Sequence, residues 1–140
     1  MYKRTVPQRC GITVQNAECK VQSESRPTAA DMSFEFAVRI VNLHKYLVSE
    51  HREYVLSKQL LRCGTSIGAN IAEAQRGQSH ADFLAKMSIA LKEANETYYW
   101  LRLLHRTEYL NQQQFDSLEK DIQELLGVLM AICKTANKNK

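Results

Sequence analysis

"LSKQLLRCGTSIGANIAEAQRG", residues 56–77, is the stretch that decides the fold. On a helix turning about 100° per residue, Leu56, Leu60, Cys63, Ile67, Ile71 and Ala74 fall on one stripe. Steps of three and four are helical; a half-buried strand would alternate. Ser66, Asn70 and Glu73 flank the stripe, and Lys58, Arg62 and Arg76 form a basic strip beyond them. The remaining flank, Leu61, Gly68, Ala69 and Ala72, is nearly all small. Gly64 and Gly68 stand in mid-helix, where a glycine costs about 0.5–1 kcal/mol against alanine. Such a cost needs a packing reason, inside the chain or between copies of it. The small flank predicts close approach of another helix, so Leu61, Gly68, Ala69 and Ala72 are the candidate oligomer contact.

The same spacing extends outward in both directions. Upstream, Phe34, Ala37, Val41, His44 and Val48 predict a helix over about 33–49, capped by Ser33. The polar "SEHRE", 49–53, breaks it. The second helix runs over about 54–76 and is closed by Gly77, a glycine just past a helix end. The third starts at Ser79, with Asp82 three residues on, and continues through Phe83, Met87, Ala90, Ala94, Tyr98 and Leu101 to about Thr107. The fourth is capped by Asn111 with Gln114 in the capping-box position. Its seam is Phe115, Leu118, Ile122, Leu125, Leu129 and Cys133, and the polar "TANKNK" frays. Four helices joined by short connections predict an all-α, antiparallel up-down-up-down four-helix bundle.

The chain has 140 residues, enough for one domain. Residues 1–31 hold both prolines and no sustained periodicity. They read as a flexible N-terminal tail, and residues 32–140 as the bundle domain. Met32 stands where a chain lacking the tail would start. No run approaches the ~20 apolar residues of a membrane span, and "MYKRTVPQRCGITVQ" lacks the apolar segment of a secretory signal. A cytoplasmic protein is expected. Cys10, Cys19, Cys63 and Cys133 form no C-x-x-C pair and read as reduced thiols. His44, His51, His80 and His105 offer no H-E-x-x-H motif, so neither metal nor cofactor is expected. No nucleophile–base pair or phosphate loop can be assembled, which points away from an enzyme. The formal net charge is +4, of which +2 lies within residues 1–31. That balance permits contact with nucleic acid without demanding it.

"QLLRCGTSIGANIAEAQRGQSHADFLAKMSIALKEANET", residues 59–97, resembles the motif region of the four-helix-bundle proteins encoded in 23S rRNA intervening sequences. The shared pattern is Ser-Ile, then Asn-Ile-Ala-Glu, a loop with an acidic-aromatic helix start, and an Ala-x-x-Glu-like segment, here "ALKEANE". The likeness spans about 33–136. Ala74 stands where the family usually has glycine. The resemblance implies an antiparallel bundle and assembly as a homopentamer, as in the related accessory proteins of diversity-generating retroelements. Those relatives bind nucleic acid and a reverse transcriptase. By resemblance Ser66, Asn70 and Glu73, with Glu93 of the third helix, form a polar motif expected to hold the second and third helices together.

Two functions compete. In the first, an oligomeric accessory protein binds RNA or DNA without sequence specificity. Lys58, Arg62 and Arg76 of the second helix and Lys86, Lys92, Arg102 and Arg106 of the third supply phosphate contacts. Lys92 and Glu96, four residues apart, are also placed to pair with each other. Tyr98, Tyr99 and Trp100 cannot all be core; one or two are placed to stack on bases or line a subunit contact, and packing in the core or an interface is the main expectation. In the second, the protein is a scaffold that docks other proteins through its small-residue and aromatic faces without touching nucleic acid. Salt separates the two, because phosphate contact weakens steeply with ionic strength and apolar docking does not.

Overall fold

The computed structural model describes residues 25–139. Four helices follow one another: α1 Ala29–His51, α2 Leu56–Gln75, α3 His80–Arg106 and α4 Gln112–Lys138. No strand occurs among the described residues. α1 packs on α2 and α4, and α3 packs on α2 and α4, so each helix touches its neighbours round the ring and none touches its diagonal. This is the antiparallel four-helix bundle that the patterning predicts. The α1–α4 seam is the least extensive of the four.

Each start has a chemical cause. At α1 the Thr28 side chain accepts from the Asp31 amide, and Asp31 accepts in return from the Thr28 amide, both at 3.1 Å. This capping box places the start at Ala29, ahead of the expected cap at Ser33 and inside the stretch assigned to the tail. Ser33 is instead buried within the first turns and donates to the Ala30 carbonyl at 3.1 Å. α3 is capped by Ser79, which accepts from Asp82 at 3.0 Å. Asn111 and Gln114 form the expected reciprocal box at α4. α4 does not fray at 135 but continues to Lys138. There Ala136 is buried, and its carbonyl accepts from the His80 ring Nε2–H at 2.8 Å, tying the end of α4 to the start of α3.

α2 has no side-chain cap at Val55. Its N-terminus is satisfied from further back. The Glu53 carboxylate accepts from the amides of Val55 (3.1 Å), Leu56 (2.9 Å) and Ser57 (2.7 Å), although the residue is only 9% exposed. A carboxylate here also faces the positive end of the helix dipole. The reversal before it is made by Arg52 in the left-handed region, φ 52°. Glu108, φ 69°, does the same between α3 and α4. Gly77 stands just past the end of α2, as expected, and has no positive φ. The chain leaves α2 through ordinary backbone there, with the Gly77 amide donating to Ala74 at 3.1 Å.

The core follows the expected seams on α2 and α4, and on α3 with Thr97 buried where Tyr98 is expected. α1 differs. The buried residues are Phe36, Ile40, Leu43 and Leu47, not the stripe through Phe34, Val41 and Val48. Phe34 is 66% exposed and Val38 42%. α1 is apolar over a wide arc, and its rotation is chosen by α2. A Cβ on Gly64 would stand 2.8 Å from Ile40, and one on Gly68 3.3 Å from the Ser33 hydroxyl. The two mid-helix glycines thus let α1 of the same chain approach closely. For Gly68, assigned from sequence to an oligomer contact, the closest neighbour is internal.

Candidate nucleic-acid interface

The seven basic residues proposed for phosphate contact separate into two groups. Arg62 of α2 is engaged: its Nη2 lies 2.6 Å from Glu96 and its Nη1 3.4 Å from Glu93, both on α3. Glu96 also accepts from the Trp100 indole N–H at 3.0 Å. That bond first, and the Arg62 guanidinium second, hold the Glu96 carboxyl below its usual range, while Glu96 raises Arg62 further. Lys86 is likewise paired with Glu73 at 2.8 Å. These two cations are paired with acids on the neighbouring helix, so they are less free to meet an anion than the other five.

No carboxylate lies within ion-pair distance of Lys58, Arg76, Lys92, Arg102 or Arg106 among the described residues. Lys92 does not take Glu96 as its partner, because Arg62 and Trp100 occupy that carboxylate. Lys58 and Arg76 stand at opposite ends of α2, ~27 Å apart at 1.5 Å per residue. On α3 the arrangement is tighter. Lys92, Asn95, Tyr99, Arg102 and Arg106 recur at steps of three and four and are all exposed. They form one solvent-facing stripe that carries three cations and no acid.

The polar motif is divided in the same way. Glu73 and Glu93 do bridge α2 and α3, through Lys86 and Arg62. Ser66 and Asn70 do not join the helices: Asn70 Nδ2 donates to the Ser66 carbonyl at 2.8 Å and to its hydroxyl at 3.2 Å, both within α2. The Glu73 side chain is 60% exposed, so solvent screens the Glu73–Lys86 pair and breaking it strands no buried group. Of the candidate oligomer residues, Ala69 and Ala72 are exposed and Leu61 and Gly68 half-buried.

The aromatic run sorts by partner. Tyr98 donates to Glu119 of α4 at 2.6 Å, which raises the phenol above its ordinary pKa, and the Arg102 guanidinium lies over its ring at 5.0 Å. Trp100 is half-buried against Glu96. Tyr99 remains 50% exposed. His105 stacks on Phe115, centroids 4.4 Å apart. No cluster of three His, Cys, Asp or Glu suited to a metal ion occurs among the described residues.

A family model for the 23S rRNA-intervening sequence protein matches residues 28–131, from the Thr28 cap into the last third of α4. The chain belongs to this family. A solved member of what its description calls the S23 ribosomal protein family, from Bacteroides thetaiotaomicron and of unknown function, is 59% identical. The match covers 76% of this chain and 99% of that one, with a TM-score of 0.75. No curated protein is similar enough to count as a match. Within the 23S rRNA-intervening sequence family fold, Glu53 and Arg39 are contributions that sequence reasoning did not single out. Arg39 of α1 reaches Asp121 of α4 at 2.7 Å and the Ser117 hydroxyl at 2.9 Å, closing the sparse seam. A charged pair so far apart in sequence leaves no local trace; Glu53, close to the helix it caps, does.

Proposed function

We propose that the protein is a non-catalytic, cytoplasmic accessory protein that binds RNA or DNA without sequence specificity through the outer face of α3. The observation that carries this reading is the stripe of Lys92, Arg102 and Arg106, exposed and unpaired with acid among the described residues. Cations held on one helix face meet successive phosphates and release counterions. Lys58 and Arg76 extend the basic surface on α2; Arg62 and Lys86, engaged by acids, contribute less. In this reading copies of the chain assemble, as the resemblance to pentameric relatives suggests, and a weak stripe gains by repetition. A reverse transcriptase is the protein partner that the same resemblance offers.

Fluorescence anisotropy of labelled RNA tests the proposal. Changing Lys92, Arg102 and Arg106 together to glutamate should weaken binding by at least about tenfold, and log affinity of the parent should fall with log salt at a slope near −2, as for about three phosphate contacts on a single strand. Binding that ignores both the substitutions and the salt removes the stripe from the function. The alternative, a scaffold that docks protein alone, is favoured by the exposed apolar pair Phe34 and Val38 on α1.

A further inference from the structure

α3 closes with "YYWLRLLHR", residues 98–106, and beside this segment lies a cleft of about 390 Å³ against the start of α4. Its walls include Tyr98, Tyr99, Arg102, His105, Arg106 and Phe115. Most of these groups are already committed. Tyr98 is held by Glu119 and covered by Arg102, and His105 lies flat on Phe115, 7° from parallel. Tyr99 is not. Half of it is exposed, its ring is braced edge-on by Trp100 with centroids 5.1 Å apart, and its hydroxyl makes no hydrogen bond among the described residues. An exposed aromatic ring on a rigid helix, one turn from Arg102 and two from Arg106, combines a stacking surface with two cations.

We infer that this cleft binds single-stranded nucleic acid in preference to duplex: one unpaired base stacks on Tyr99, and the flanking phosphates rest on Arg102 and Arg106, with Lys92 further along the strand. The inference rests on the nucleic-acid reading above and specifies its ligand. A paired base has both faces covered by its neighbours in the helix, so only an unpaired one can lie on a tyrosine. Glu119 stands on the α4 wall and repels phosphate there, which confines the backbone to the α3 side. Stacking is indifferent to base identity, so the site selects strandedness and not sequence.

The full chain is titrated by anisotropy against labelled oligo(rA) and oligo(dA) of about 12 nucleotides, within the site sizes of single-strand grooves, and against an RNA duplex of equal length. Both single strands should bind at least about tenfold tighter than the duplex. Tyr99→Ala should weaken single-strand binding about 5- to 100-fold, in line with loss of one stacked base. It should leave duplex binding unchanged, and Tyr99→Phe should restore the affinity. Equal binding of single strand and duplex, with Tyr99→Ala silent, overturns the inference and leaves the broader reading standing. Absence of binding to every probe overturns both. Affinity for oligo(rA) alone would show that sugar contacts outweigh stacking, and also overturns it. So does a Tyr99→Ala protein whose assembly mass falls, because the ring would then serve a contact between subunits.

Discussion

Glu53 shows how one side chain can hold a helix start. Three amides converge on a nearly buried carboxylate where no neighbouring cap is available. Glu53→Ala should lower stability by about 1.5–3 kcal/mol, the scale of hydrogen bonds to a charged acceptor, and Glu53→Gln should recover part of it. Urea melts of the two variants check this; an alanine variant as stable as the parent would contradict the capping role. Cys63 gives a second test. Burial pushes its thiol up from 9.0 to about 11. A raised acid is favoured in its protonated form by folding, so this contribution is complete below the unfolded value and is lost as pH climbs from 9.0 toward 11. The native protein should therefore keep Cys63 unmodified by a thiol reagent near about pH 8, and react there only on unfolding. Modification that precedes loss of helix signal would show the residue to be accessible.

At the scale of elements, the glycines of α2 and α4 look alike in sequence and differ in surroundings. A Cβ on Gly64 would stand 2.8 Å from Ile40, whereas one on Gly127 would meet nothing within 4 Å. Gly127→Ala should therefore stabilise by about 0.5–1 kcal/mol through helix propensity. Gly64→Ala should destabilise by about 1–3 kcal/mol, as overpacking outweighs the same propensity gain. Thermal melts of the pair decide the matter, and parallel shifts of equal sign would remove the close-approach explanation. The caps at Ser79 and Asn111 were legible because the partner sits three residues away. The cap at Thr28 followed the same rule and was missed because Ser33 offered a competing start nearer the apolar pattern. The Glu53 cap was also local, within four residues, but it reads as ordinary loop polarity.

At the scale of the whole molecule, the rotation of α1 leaves Phe34 and Val38 outside. Contacts of Ser33 with Gly68, Ile40 with Gly64 and His44 with Ser57 fix the face that α1 turns to α2. Phe34 and Val38 lie outside that face and form an exposed apolar pair on α1. If copies of the chain associate through this surface, Phe34→Glu with Val38→Glu should reduce the particle mass in light scattering while helix content is retained. A double variant of parental mass would assign self-association elsewhere. Gly68 is unsuited to this test, because a side chain there presses first on Ser33 of its own chain.

Four helices, three of their core seams and two of their caps were present in the linear pattern, because periodicity and capping act between residues three or four apart. The candidate interface was legible only as a pool of cations. Which apolar stripe of α1 turns inward, which cations acids on the facing helix silence, and which tyrosine is left bare came from the tertiary structure. Those outcomes depend on distances between residues tens of positions apart, such as Arg62 with Glu96 or Gly64 with Ile40, and such distances exist only once the helices have packed.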